Sequence, residues 1–182
     1  AVKLVLDGSL GARTAALNKP YHDKKSTKGE ILYEQENFNR LVKHAVQSGF
    51  QLAVHAIGDR AIEMALKSFE YAYENNKQAR NNRPIIVHSQ ISNQRLNKIM
   101  KNKGIVAAIQ PIFLKSDWAM IEKRVGPKRS KMSYAWKTLL KNDIHLSGSS
   151  DCPIESFNPF LGIYTAVTRQ DLSGKPVGGW HP

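Results

Sequence analysis

Lys3, His55, His88 and Asp151 are residues of the types that hydrolytic chemistry uses. Two imidazoles and a carboxylate form a nitrogen and oxygen donor set suited to zinc and related divalent ions. Such an ion lowers the pKa of bound water from about 15.7 to about 7, which supplies hydroxide near neutral pH. An aspartate oxygen left free of the ion could accept a proton from that water and return it to a leaving group. The set therefore points to metal-assisted hydrolysis. Each member also has a plainer reading. A single histidine at a strand end is more often a hydrogen-bonded structural residue, and Lys3 alone is a snorkelling side chain. Spacing shifts the balance, because His55 and His88 stand 33 residues apart and Asp151 follows His88 by 63. Lys3 shares strand parity with Val5 and Asp7, so if Asp7 faces a site, Lys3 does too.

These residues need elements that bring them together. "AVKLVL" reads as a strand, followed by a long loop with turn signals from Gly8 to Gly29. Phe38, Leu41, Val42, Ala45 and Val46 follow helical spacing, with Gly49 as the stop. "FQLAVH" is a short apolar strand ending on His55. Gly58 allows a sharp turn there, and Asp59 is placed to cap the helix that carries Ile62, Ala65, Leu66, Phe69 and Ala72. The pattern recurs with strand "PIIVH", Ser92 as a cap and a helix bearing Leu96, Ile99 and Met100. Next come strand "IVAAIQ", helices near 117 to 125 and 133 to 141, strand "IHLSG", and a last helix from Pro159 to Arg169.

Five near-continuous apolar strands alternating with amphipathic helices argue for a parallel sheet covered by helices, hence an α/β fold. A doubly wound sheet and a (β/α) barrel both fit. A barrel allots about 31 residues to each of its eight repeats. The histidines are one such repeat apart, and His88 and Asp151 two. In either architecture the C-terminal strand ends share one face, where active sites form.

Composition sets outer limits. The chain has 182 residues, 41% of them apolar, and no apolar run long enough to span a membrane. With only Cys152 there is no disulfide framework, which is in keeping with a cytoplasmic location. The net charge is +12, but the basic runs 18 to 28 and 123 to 133 are broken by Gly, Pro or Ser and hold one aromatic, Tyr21, rather than an interleaved series. They read as solvated loops, so no nucleic-acid partner is expected. The chain starts in mid-strand without Met and stops in a Gly and Pro-rich loop, which suggests a portion of a longer protein. His22, His44 and His145 read as surface residues, Cys152 as small-residue packing. Tyr134 and Trp136 could approach a pocket.

The segments "VKLVLDGSLGARTAAL", "VHAIGDRAI", "IVHSQ", "GSSDCPIESFNPFLGIYTAVTR" and "GKPVGGWHP" resemble, in this order, the amidohydrolase superfamily. The resemblance is to its YtcJ-like group, which takes in N-substituted formamide deformylases and AepA-type exoenzyme regulatory proteins. It covers essentially the whole chain. It implies a partial TIM-type (β/α) barrel comprising strands 4 to 8, with residues 1–182 as the C-terminal portion of the eight-stranded barrel. It also implies hydrolysis of carbon to nitrogen bonds in a small amide-type substrate with one or two divalent ions, zinc foremost. By similarity Lys3 is the fourth-strand lysine that binds metal when carboxylated. His55 and His88 are the fifth- and sixth-strand ligands, and Asp151 is the eighth-strand ligand that shuttles the proton.

Two departures matter. Val87 stands where relatives often carry an acidic residue, and the family's first-strand His-x-His pair lies outside this chain. The isolated chain is accordingly expected to be inactive and to self-associate through uncovered sheet edges. Arg13, Gln90 and Arg169 are candidate substrate contacts. A noncatalytic regulatory or nucleic-acid-binding protein is the alternative, with a doubly wound, metal-free hydrolase a distant third.

Overall fold

The strands run in the order β1-β2-β3-β4-β5, and every pairing is parallel, in a computed structural model that describes residues 1–74 and 82–181. They are β1 (Val2–Val5), β2 (Leu52–Ala56), β3 (Ile85–His88), β4 (Val106–Ile109) and β5 (Leu146–Gly148). A doubly wound sheet reverses its strand order at a switch point. Here each strand pairs with the next in sequence and the order never reverses, so the sheet has the winding of a (β/α) barrel arc.

Helices α1 (Gln35–Gln47), α2 (Asp59–Tyr73), α3 (Gln94–Asn102), α4 (Leu114–Ser130), α5 (Trp136–Lys141) and α6 (Pro159–Thr168) occupy the connections, with a 3-10 turn at Pro111–Phe113. The expected apolar stripe of α2 is buried in full, and that of α1 is buried except for Leu41. The helix expected near 133 starts later and is shorter, and the one expected near 117 is longer at both ends than its periodicity predicts, because α4 continues through a break at Gly126 (φ 77°). That backbone conformation suits glycine, and Pro127 restarts the helix behind it.

Burial differs between the two sides of the sheet. Leu52, Val54, Ala56, Ile86, Ala107 and Ile109 are buried on the helix side, while Lys3, Val5 and Ser147 are exposed on the other. Continuous apolar strands predict cover on both faces. Among the described residues the other face is covered only in part, around the buried Val87, and β1 and β5 each pair along a single edge. No helix of the described residues is long and apolar enough to cross a membrane.

The loop from Gly8 to Gly29 is a structured strap. Leu10, Ala15, Ala16, Leu17 and Tyr21 are buried in it, and Leu17 and Tyr21 donate their N–H groups to Lys28 and Thr27. Two arginines of α4 clasp it. Arg124 reaches Asp23 (2.5 Å) and the Gly11 carbonyl (3.1 Å), and Arg129 donates to the carbonyls of Lys19 (3.0 Å) and Pro20 (2.7 Å). Gly58 serves this strap. Its φ of −80° is ordinary, but a Cβ there would lie 1.9 Å from the Ala16 carbonyl oxygen. Its smallness, not a special turn, is what the fold uses. Asp59 likewise makes no cap; its Oδ1 accepts from the Asn18 N–H of the strap at 2.9 Å. The cap of α3 is Asn93, which accepts from Leu96 N–H, while the neighbouring Ser92 hydroxyl donates to Asn97.

Candidate active site

His55 stands one residue before the end of β2, opposite Val5 of β1, on the sheet face that also carries Lys3. Its Nε2 lies 3.1 Å from the Gly8 carbonyl oxygen. A carbonyl only accepts, so Nε2 carries a proton, and in the neutral ring it is Nδ1 that keeps its lone pair. Asp7 stands behind this junction, 3.4 Å from the same Nε2. Its buried carboxylate accepts backbone N–H groups from Ala16 (2.8 Å), Gly58 (2.8 Å) and Ile57 (3.0 Å). One side chain thus ties the end of β1, the strap and the β2–α2 turn together under His55.

Strand alternation alone would turn His88 away. It lies in register with Ala56, whose side chain is buried on the helix side, while Val87 is the partner of His55. A left-handed backbone at His88 (φ 76°) and at Ser89 (φ 49°) breaks the alternation. The His88 ring packs edge-on against His55, with centroids 4.4 Å apart. It also stacks on Phe113 at 5.9 Å and meets Gln110 Oε1 through Nδ1 at 2.7 Å. Burial pushes the His88 pKa down to about 4. The neighbouring His55 and Lys3 push the same way, while Asp151 and the Gln110 hydrogen bond oppose them. The imidazole is therefore neutral at physiological pH, the state in which it can donate a lone pair.

Asp151 follows β5 in a left-handed conformation (φ 56°), half-buried. Its carboxylate and the Lys3 ammonium both act on the charge of His88, so the four residues from β1, β2, β3 and β5 share one electrostatic environment. His55 and His88 are in direct contact. Among the described residues, no three His, Cys, Asp or Glu side chains gather closely enough to hold an ion by themselves. Non-glycine residues with positive φ, each costing about 1–3 kcal/mol, include His88, Ser89, Tyr134 and Asp151. Such strain is characteristic of functional sites.

The three candidate substrate contacts have different surroundings. Gln90 follows His88 closely; it is buried, and among the described residues its Oε1 has no hydrogen-bond partner, nor has the Ser89 hydroxyl. Arg13 is already engaged, its guanidinium forking onto both oxygens of Asp23 (3.1 and 2.9 Å), whose pKa falls to about 2. Arg169 lies over Trp136 (4.3 Å) and Trp180 (5.5 Å) and donates through Nε to the Trp180 carbonyl. Burial lowers its pKa to about 10. Cys152 is exposed.

Sequence reasoning passed over Asp7 as a contact, Gln110, and a partly buried pair in which the Tyr134 hydroxyl donates to Asp117. Burial raises both members of that pair. The only signal for Asp7 was its parity with Lys3. Gln110 carried none beyond its place at a strand end.

Residues 1–181 match the model of the amidohydrolase family. The chain is 39% identical over 170 residues to the putative amidohydrolase YtcJ of Bacillus subtilis, covering 93% of this chain and 31% of that protein. It is 34% identical over 169 residues to the protein LONG AFTER FAR-RED 3 of Arabidopsis thaliana, with 92% and 29% covered. The crystal structure of an uncharacterized metal-dependent hydrolase from Pyrococcus horikoshii is similar at a TM-score of 0.83 and 40% identity, over 92% of this chain and 33% of that one. The chain thus spans about a third of the length of these relatives.

Proposed function

The chain belongs to the amidohydrolase family, and from that premise we propose that it is the C-terminal portion, strands four to eight, of a barrel hydrolase that cleaves amide carbon to nitrogen bonds with a divalent ion. The observation that carries this reading is the pair of imidazoles 4.4 Å apart at neighbouring strand ends. On each ring one nitrogen is taken up by a protein oxygen, Gly8 for His55 and Gln110 for His88. The opposite nitrogens, Nδ1 of His55 and Nε2 of His88, are the ones left to ligate. Two imidazoles, the Asp151 carboxylate and a carboxylated Lys3 would make a borderline-soft N and O set that fits zinc. When bound, such an ion acts as a Lewis acid and acidifies water to a pKa of about 7.

The chain's own residues supply the rest. His55 and His88 hold fixed directions because their distal nitrogens are anchored. Asp151, which follows β5, would supply two oxygens, one to ligate and one to accept the proton of the attacking water. The same oxygen then returns that proton to the amine nitrogen as the carbon to nitrogen bond breaks. The unpartnered Oε1 of Gln90 can accept an N–H from a small amide substrate, and Arg169 is a candidate contact for its acyl side. Arg13 would first have to leave Asp23. The described residues gather no complete ligand set, so the chain by itself should bind the ion loosely and turn over no amide at an enzymatic rate.

The test is hydrolysis of formamides, cyclic amides and N-acyl amino acids by the full-length protein, with and without Asp151→Asn. Metal-dependent turnover that the substitution abolishes is expected. Salt-sensitive DNA binding by a metal-free protein would support the regulatory alternative instead.

A further inference from the structure

Gln110 follows β4, the one strand between those that carry His88 and Asp151, and is only 3% exposed. Its amide has three partners. Nε2 donates to the Ala108 carbonyl (3.1 Å) and the Ser149 hydroxyl (2.9 Å), and Oε1 lies 2.7 Å from His88 Nδ1. A backbone carbonyl can only accept, so the amide nitrogen must face Ala108 and the amide oxygen must face His88. An oxygen acceptor requires Nδ1 to carry the ring proton. Nε2 is then left with its lone pair.

We propose that Gln110 is a positioning residue that fixes His88 as its Nδ1–H tautomer and couples that ring, through Ser149, to the loop carrying Asp151. Direction starts at the Ala108 carbonyl, passes through the amide and ends at the imidazole. Histidines that ligate metals characteristically have the second ring nitrogen held in this way, by a carboxylate, carbonyl or water. Here a side-chain amide fills that role. Ser149 is two residues before Asp151, so one amide braces elements from both sides of β4. The tautomer follows from the hydrogen bonds alone. Its use in presenting Nε2 to an ion rests on the metal-centre reading above.

The first readout is the tautomer, from long-range nitrogen-15 NMR spectra of the metal-free chain at about pH 8, where a free imidazole is neutral. His88 should be Nδ1–H in the unsubstituted chain and in Gln110→Glu, whose carboxylate can accept the same proton. It should lose that preference in Gln110→Leu and in Gln110→Asn, which is polar but too short to reach. His55, held by the Gly8 carbonyl, should stay Nε2–H throughout and reports that the sheet is intact. A His88 that is Nε2–H in the unsubstituted chain, or that stays wholly Nδ1–H in both Gln110→Leu and Gln110→Asn, overturns the proposal.

The second readout is zinc affinity of the full-length protein, expected to weaken by about 10–100-fold in Gln110→Leu and to recover in Gln110→Glu. Unsubstituted protein that binds no zinc would overturn the metal-centre reading, while the tautomer spectra would still decide the role of Gln110.

Discussion

At the scale of single residues, the candidate ligands stand out in the sequence and the groups that hydrogen-bond around them do not. His55, His88 and Asp151 end or follow apolar strands, so their place on one rim follows from a parallel sheet. Asp7 and Gln110 act through hydrogen bonds to residues about 50 and 22 positions away, and no local pattern marks such partners. The turn of His88 toward His55 was equally hidden, because it depends on a positive φ that breaks strand parity. Removing Asp7 has a definite expected cost. Asp7→Ala would leave the buried N–H groups of Ala16, Ile57 and Gly58 without their acceptor. An unmade buried hydrogen bond costs about 1–3 kcal/mol, so a loss of at least about 3 kcal/mol in urea unfolding is expected. A loss under about 1 kcal/mol would mean that Asp7 is not the hub of this junction.

At the scale of elements, periodicity found the helices and strands but misjudged the strap. Leu10, Ala15, Ala16, Leu17 and Tyr21 follow neither helical nor strand spacing, so their burial could not be read from pattern. The Lys-rich run beside them is largely exposed, as a solvated loop should be, yet Arg124 and Arg129 fasten this segment to α4. Two outcomes follow. Gly58→Ala places a Cβ against the Ala16 carbonyl, and overpacking of this kind costs about 1–3 kcal/mol; the midpoint of urea unfolding should fall. An unchanged midpoint would show that the strap can move aside freely.

The second outcome concerns acid. Asp23 is held at about 2 by Arg13 and Arg124, below its ordinary 3.8. A depressed carboxylate contributes its stabilisation in full above the ordinary value and loses it as pH falls through the folded one. Protection of the Leu17 and Tyr21 amides against hydrogen exchange should therefore drop between about pH 4 and pH 2, and Asp23→Asn should remove that dependence. Equal slopes in the two proteins would place the acid-sensitive contact elsewhere.

At the scale of the whole molecule, alternating strands and helices revealed the α/β class but left two windings open. Strand order chose between them, since the order 1-2-3-4-5 has no switch point. Such order is set by which helix packs on which strand, a long-range choice that no local window contains. The partly open face of the sheet, the single-sided pairing of β1 and β5, and the exposed Phe157 (82%), Phe160 (74%) and Val167 (76%) leave much apolar surface in water. Surface of this extent favours association, so the isolated chain should sediment as a species larger than 20.4 kDa. A clean monomer would count against that expectation.

The central claim, that His55 and His88 belong to a metal centre, is tested most directly by counting metal in the full-length protein after exhaustive dialysis. Elemental analysis should find about one or two equivalents of a divalent ion in the unsubstituted protein, and a large loss in the folded His55→Ala, His88→Ala double variant. No stoichiometric metal in the unsubstituted protein, or the same amount in the double variant, would contradict the account.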